Sequence, residues 1–112
     1  VGQSAYSGAT GGSSNVIIGA SANDIGIGTR SNCVIIGKSA ARANTASSTV
    51  AIGVNALLAN TSGTANTALG TGALSSAVTT ASATAVGNSS LASATGDQNT
   101  ASGAATGATR TT

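Results

Sequence analysis

Short apolar runs closed by a glycine recur along the chain: NVIIG at Asn15–Gly19, NCVIIG at Asn32–Gly37, TVAIG at Thr49–Gly53, NTALG at Asn66–Gly70, ATAVG at Ala83–Gly87 and NTASG at Asn99–Gly103. Their first residues are separated by 17, 17, 17, 17 and 16 positions. A fixed short period is the signature of a stacked repeat. Seventeen residues are too few for a helical hairpin, yet they hold two strands of about five residues with their turns. The pattern predicts an all-β chain, a β-solenoid of about five 17-residue coils.

Within each run, alternate side chains point to opposite faces. Val16 and Ile18, Val34 and Ile36, Val50 and Ile52, Thr67 and Leu69, and Thr84 and Val86 thus share one face, expected to stack coil upon coil into a thin core. Between them stand Ile17, Ile35, Ala51, Ala68, Ala85 and Ala101, which are apolar as well. A strand apolar on both faces is buried on both, so this second face is expected to pack against neighbouring chains. A further apolar element follows three of the glycines, at Ala56-Leu57, Ala73-Leu74 and Ser90-Leu91. A half-period run, Asn23–Gly28 (NDIGIG), lies where the second strand of its coil should be. Both features point to two strands per coil. Cys33 reads as a single inserted residue of the kind a β-bulge absorbs, and as a small buried hydrophobe.

Gly19, Gly37, Gly53, Gly70, Gly87 and Gly103 suit turns with positive φ, as do Asn23, Asn55 and Asn88. Asn15, Asn32, Asn66 and Asn99 share a coil position, where they either stack into an amide ladder or lie on surface turns. Residues 1–13 carry four glycines and the only aromatic, Tyr6, without the repeat, and read as a docking or linker segment. The repeat domain is 14–103. Large aliphatics vanish after Leu91, so 104–112 is expected to fray or to be covered by a partner.

Composition sharpens this picture. Phe, Trp, Met, Pro and His are absent, and charged residues make up 5% of the chain, against about 25% in a typical domain. Seven Ile, seven Val and five Leu are little apolar bulk for a lone compact monomer, which again points to association. The formal charge of +2 comes from Arg30, Lys38, Arg42 and Arg110 against Asp24 and Asp97. That is too sparse for a nucleic-acid-binding stripe. Without His no usual serine or cysteine triad can be assembled, and the two Asp lie in distant coils, so no enzymatic activity is expected. One Cys and two separated Asp supply no metal site, and no cofactor is expected. Gly26-Ile27-Gly28 is followed by no helix that could hold a phosphate, and reads as a turn. With no run of about 18 apolar residues, no membrane partner is expected either. Tyr6, Arg30, Lys38 and Arg42 are the candidate partner contacts, the three cations forming a small basic patch or acting as solubilising charges.

The stretch Asn66–Thr80 (NTALGTGALSSAVTT) resembles the NTAxGxxALxxNTTG repeats of viral, especially bacteriophage, fibre proteins. Thr49–Gly63 has the same form, with NTSG at Asn60–Gly63 matching the second turn. The xAIG strands are also similar to those in the heads of trimeric autotransporter adhesins. The resemblance covers 14–103, and departs where Val54, Thr71 and Asn88 replace an aromatic often found in the viral repeats. It implies a left-handed parallel β-roll and a homotrimer in which three rolls pack side by side, and it transfers no catalytic residues. The expectation is a non-catalytic virion structural protein, a fibre segment or a capsid or tail decoration at the virion surface. Its implied partners are its own copies, other virion proteins at the N-terminal segment, and a host-surface receptor. The head of an adhesin at the bacterial cell surface is the second reading. An ice-binding solenoid is the third, because Thr67, Thr84 and Thr100 align by period, although Val stands there in neighbouring coils.

Overall fold

Each glycine-closed run forms one short strand in the computed structural model, which describes residues 1–108. In chain order the strands are β1 (Ala9–Gly11), β2 (Val16–Ile18), β3 (Gly28–Thr29), β4 (Val34–Ile36), β5 (Val50–Ile52), β6 (Thr67–Leu69), β7 (Thr84–Val86) and β8 (Thr100–Ser102). β2, β4, β5, β6, β7 and β8 pair in that order into one parallel sheet, while β1 and β3 make a separate two-stranded ladder. Parallel strands that follow one another in sequence and stack in order are a β-solenoid, here of about five turns. Among the described residues there is no helix.

Register is what turns the repeat into columns. Val16, Val34, Val50, Thr67, Thr84 and Thr100 lie in one line along the axis, and Ile18, Ile36, Ile52, Leu69, Val86 and Ser102 in another. Backbone bonding continues past the strand ends and around the coil: Gly37 N donates to Ile18 O at 2.8 Å, Asn55 N to Lys38 O at 3.0 Å and Leu57 N to Ala73 O at 2.8 Å. Each coil therefore satisfies the backbone of the next along much of its perimeter, not only in the sheet.

The expected second strand does not form. The far half of each coil is a succession of turns, in which Gly53, Asn55 and Leu57 have φ of +136°, +57° and +54°. Left-handed residues at every second position keep bending the chain inward while its N–H groups still reach the neighbouring coil. Leu57, Leu74 and Leu91 occupy this conformation, which disfavours a bulky L-residue by about 1–2 kcal/mol. All three are fully buried, and burying a leucine contributes about 1.5–3 kcal/mol, enough to offset the strain. The second apolar element is thus a row of buried side chains carried on turns. Of the half-period run, only Gly28 enters a strand, in the ladder with β1.

The two faces of the strand are the reverse of the expectation. Ile35, Ala51, Ala68 and Ala85 are fully buried inside the coil, and Ile17 packs against them. Val16, Ile18, Leu69 and Val86 point outward and are 47%, 43%, 44% and 37% exposed; Val34, Ile36, Val50 and Ile52 are half-buried on the same outer face. The reason is space. The cross-section is 20 by 18 Å, and packed β layers are about 10 Å apart. Leucines enter that gap from the turn side, so the strand side has room for Ala but not for two large aliphatics per coil.

Cys33 is fully buried but is not a bulge. It lies immediately before its strand, as Asn15, Thr49, Asn66, Ala83 and Asn99 do before theirs. The register steps from strand to strand are 18, 16, 17, 17 and 16 residues. Length differences fall in the return to the strand, where Gly26 to Cys33 spans seven positions, Asn44 to Thr49 five and Asn60 to Asn66 six. Strands and leucine turns stay aligned because that corner absorbs the change.

Residues 1–13 wind with the rest. Gly2 has φ of +130° like the repeat glycines, Gly19 N donates to Val1 O at 2.7 Å, and Ser21 N to Gln3 O at 2.9 Å. This segment is a coil whose sequence lacks the apolar run. At the other end Ala105 N donates to Asn88 O and Leu91 N to Thr106 O, so winding continues through 104–108. The remainder of the expected tail, 109–112 with Arg110, lies outside the described residues.

Candidate functional site

The outer face of the six-stranded sheet is a regular surface built from two columns. Its two columns hold Val, Val, Val, Thr, Thr, Thr and Ile, Ile, Ile, Leu, Val, Ser from β2 to β8, with no charged residue in either. Polarity therefore changes along the axis: the first three coils present only large aliphatics, the last three mostly hydroxyls. Thr67, Thr84 and Thr100 do share a column, but Val fills its first half. The other exposed aliphatics, Val1, Ile25, Ile27, Val54 and Val78, stand outside the sheet's strands.

Of the two readings of these asparagines, the amide ladder does not form among the described residues. Asn32 stands one place too early, exposed at φ of +62°, and Asn15, Asn66 and Asn99 are separated in their column by Cys33, Thr49 and Ala83. Their amides instead stitch backbone. Asn15 Oδ1 accepts from Cys33 N at 3.0 Å, Asn66 Oδ1 from Ala83 N at 2.9 Å, and Asn99 Nδ2 donates to Gly96 O at 2.8 Å. An amide-to-amide bond does occur in another corner, where Asn60 Nδ2 donates to Asn44 Oδ1 at 2.6 Å with both residues buried. Those two residues are 16 apart in a sequence whose visible period is 17, which hid the pair.

Arg30 was the least expected interior residue. It is 1% exposed and takes an inward place that Ala46, Gly63 and Thr80 take in later coils, three residues before the buried position that precedes each strand. Its Nε donates to Asn23 Oδ1, its Nη1 to Gly28 O at 3.2 Å, and its guanidinium lies 4.7 Å from the centroid of the Tyr6 ring. Nη2 is buried without a partner. Desolvation by burial pulls the guanidinium below its usual pKa, with Tyr6 and then Cys33 acting in the opposite direction. Tyr6 is itself engaged, its hydroxyl donating to Gly11 O at 2.8 Å and accepting from Asn15 Nδ2 at 3.0 Å.

Hence Arg30 does not join the candidate basic patch. Arg30 is interior, Arg42 lies 3.9 Å from Asp24, and Lys38 is exposed at the turn after Gly37. Among the described residues no three His, Cys, Asp or Glu side chains cluster where they could hold a metal ion, and no helix is long and apolar enough to cross a membrane. The repeat glycines keep their expected role, all with positive φ; of the turn asparagines, Asn23 and Asn55 share it and Asn88 does not. Comparison with known families, curated proteins and solved structures finds no match for the chain.

Proposed function

We propose that this chain is a non-catalytic structural module, a fibre segment or decoration that projects from a phage-type virion as a homotrimer. The observation that supports this reading best is the coil-to-coil bonding that runs in register from β2 to β8 and continues through the turns between them. Such a stack resists extension and bending along its axis because each coil is held to the next by many parallel backbone bonds, and it is lengthened simply by repeating the coil. The resemblance of Asn66–Thr80 to viral fibre repeats supplies the virion, and the outward aliphatics of the first coils support association. Its mechanism is mechanical: a rod that spaces or displays other parts.

Light scattering together with far-ultraviolet circular dichroism tests the proposal. The expected result is a β-rich particle of three chain masses. A folded monomer would remove the trimer from the reading, and a disordered chain would remove the rod as well.

A further inference from the structure

We infer that residues 1–13 form a strap that lifts from the solenoid as a unit and, in doing so, uncovers the guanidinium of Arg30. The strap goes beyond the rod reading and does not depend on the trimer. Three observations lead to it.

The first is that this coil lacks what holds the later ones. None of residues 1–8 and 10–13 is buried, whereas each coil between Cys33 and Gln98 encloses several fully buried side chains. No strand of the segment belongs to the six-stranded sheet; β1 pairs with β3, and the register slips between Ala9 and Gly11. Gly2, Gly8, Gly11 and Gly12 raise the entropy lost when the segment is ordered. A hollow of about 400 Å³ is lined by Ala5, Tyr6 and Gly12 of this coil and by Asn15 and Ile17 of the next. Packing between the two is therefore incomplete.

What this coil covers is Arg30. The guanidinium lies 4.7 Å from the centroid of the Tyr6 ring. Gly12 is stacked so closely on Arg30 that a Cβ there would collide with the Arg30 carbonyl.

The closed form leaves that cation short of partners. Among the described residues the guanidinium meets a side-chain amide, a backbone carbonyl and an aromatic ring, but no carboxylate, and Nη2 has no partner. A buried charge without a counter-charge favours a state in which water reaches it. Opposing this are the bonds from Tyr6 N to Ala22 O at 2.9 Å, Gly19 N to Val1 O at 2.7 Å, Ser21 N to Gln3 O at 2.9 Å and Asn32 N to Ser13 O at 3.1 Å. They follow the perimeter of one coil, so they break together when it lifts. Closed, the chain is neutral at this place; open, it displays a cation.

Two experiments on the full chain decide it. Native-state hydrogen exchange compares the amides of Tyr6, Gly19, Ser21 and Asn32, which join the strap to the next coil, with those of Val50 and Thr67, which join later coils. The four are expected to share one protection factor, at least about a hundredfold below that of Val50 and Thr67. Equal protection in both sets, or four unrelated values, would overturn the inference. In the second experiment phenylglyoxal, which modifies guanidinium groups, is followed by peptide mass spectrometry with exposed Arg42 as the reference. Arg30 is expected to react in the folded chain more slowly than Arg42. In Gly12→Ala, whose added methyl pries the strap from Arg30, it should react at least about tenfold faster while Val50 and Thr67 keep their protection. Cys33 stays unreactive to thiol reagents throughout, because Asn15, which bonds its N–H, remains in place over it. An Arg30 inert to phenylglyoxal would mean that the strap does not open, and one that reacts only together with Cys33 would mean that the whole stack opens; either result overturns the inference.

Discussion

Asn23→Leu is expected to destabilise the chain by about 3–5 kcal/mol, the size of effect seen when a buried charge loses its partner. By side-chain pattern alone the substitution looks favourable, because Leu57, Leu74 and Leu91 occupy the equivalent place in later coils and are fully buried. What opposes it is Arg30. Asn23 Oδ1 receives the Arg30 Nε–H, and Nη2 is already buried without a partner, so removing the amide strands most of the guanidinium in an apolar interior. Asn23 Nδ2 also bonds Ala41 O and Asn44 O, both at 2.9 Å. In the double variant Asn23→Leu, Arg30→Ala no charge remains inside, and loss of the Arg30 side chain leaves space for Leu beside Ile17, where the later Leu coils carry Ala. Most of the lost stability is expected to return. Urea unfolding of the native chain, both single variants and the double variant measures the coupling directly. Additive losses would mean that Asn23 does not hold Arg30.

Gly70→Ala is expected to cost about 3–5 kcal/mol, combining backbone strain with a clash against neighbouring backbone. Gly70 has φ of +135°, and a Cβ there would lie 2.6 Å from the carbonyl carbon and oxygen of Gly87 in the next coil. Neither is a flexible side chain that could give way. Two residues on, Gly72 also has positive φ, +70°, but its Cβ would meet only Ser89 Oγ, at 3.3 Å, and Ser39, Asn55 and Ser89 adopt similar φ at that coil position. Gly72→Ala should therefore cost about 1 kcal/mol. Thermal unfolding of the two variants side by side checks the contrast. Equal losses would mean that close stacking of the strand-closing glycines does not limit the coil.

The period, the parallel stacking and the closing glycines were legible in the sequence because all three depend on spacing, which a repeat displays directly. Which face of the strand turns inward was not. Val50-Ala51-Ile52 is apolar at every position, so alternation alone cannot orient it, and size suggested the larger pair as core. The missing criterion was volume: Leu57, Leu74 and Leu91 enter from the turn side and leave room for Ala51, Ala68 and Ala85 but not for Val50 and Ile52. Reading Ala56-Leu57 as strand failed for a related reason, since bulky residues rarely take positive φ and only complete burial holds leucine there. The interior place of Arg30 could have been found by aligning it with Ala46, Gly63 and Thr80, each three residues before the position preceding its strand. Anchoring the repeat on the asparagines placed Asn32 one position out of line and obscured that match. Residues 1–13 were hidden because their coil is held by backbone bonds to the following one rather than by the apolar motif.

The orientation of the strands is the claim on which the rod, its core and its contact face all depend. Thiol labelling of Thr84→Cys, Ala85→Cys and Val86→Cys under native conditions tests it, each combined with Ile36→Asp to oppose association through the outward aliphatics, with buried Cys33 as the internal unreactive control. Labelling at positions 84 and 86 at close to the rate of a free thiol, with position 85 as slow as Cys33, is the predicted result. Rapid labelling at position 85 with protection at 84 and 86 would place the valine and isoleucine columns inside the coil and contradict the account.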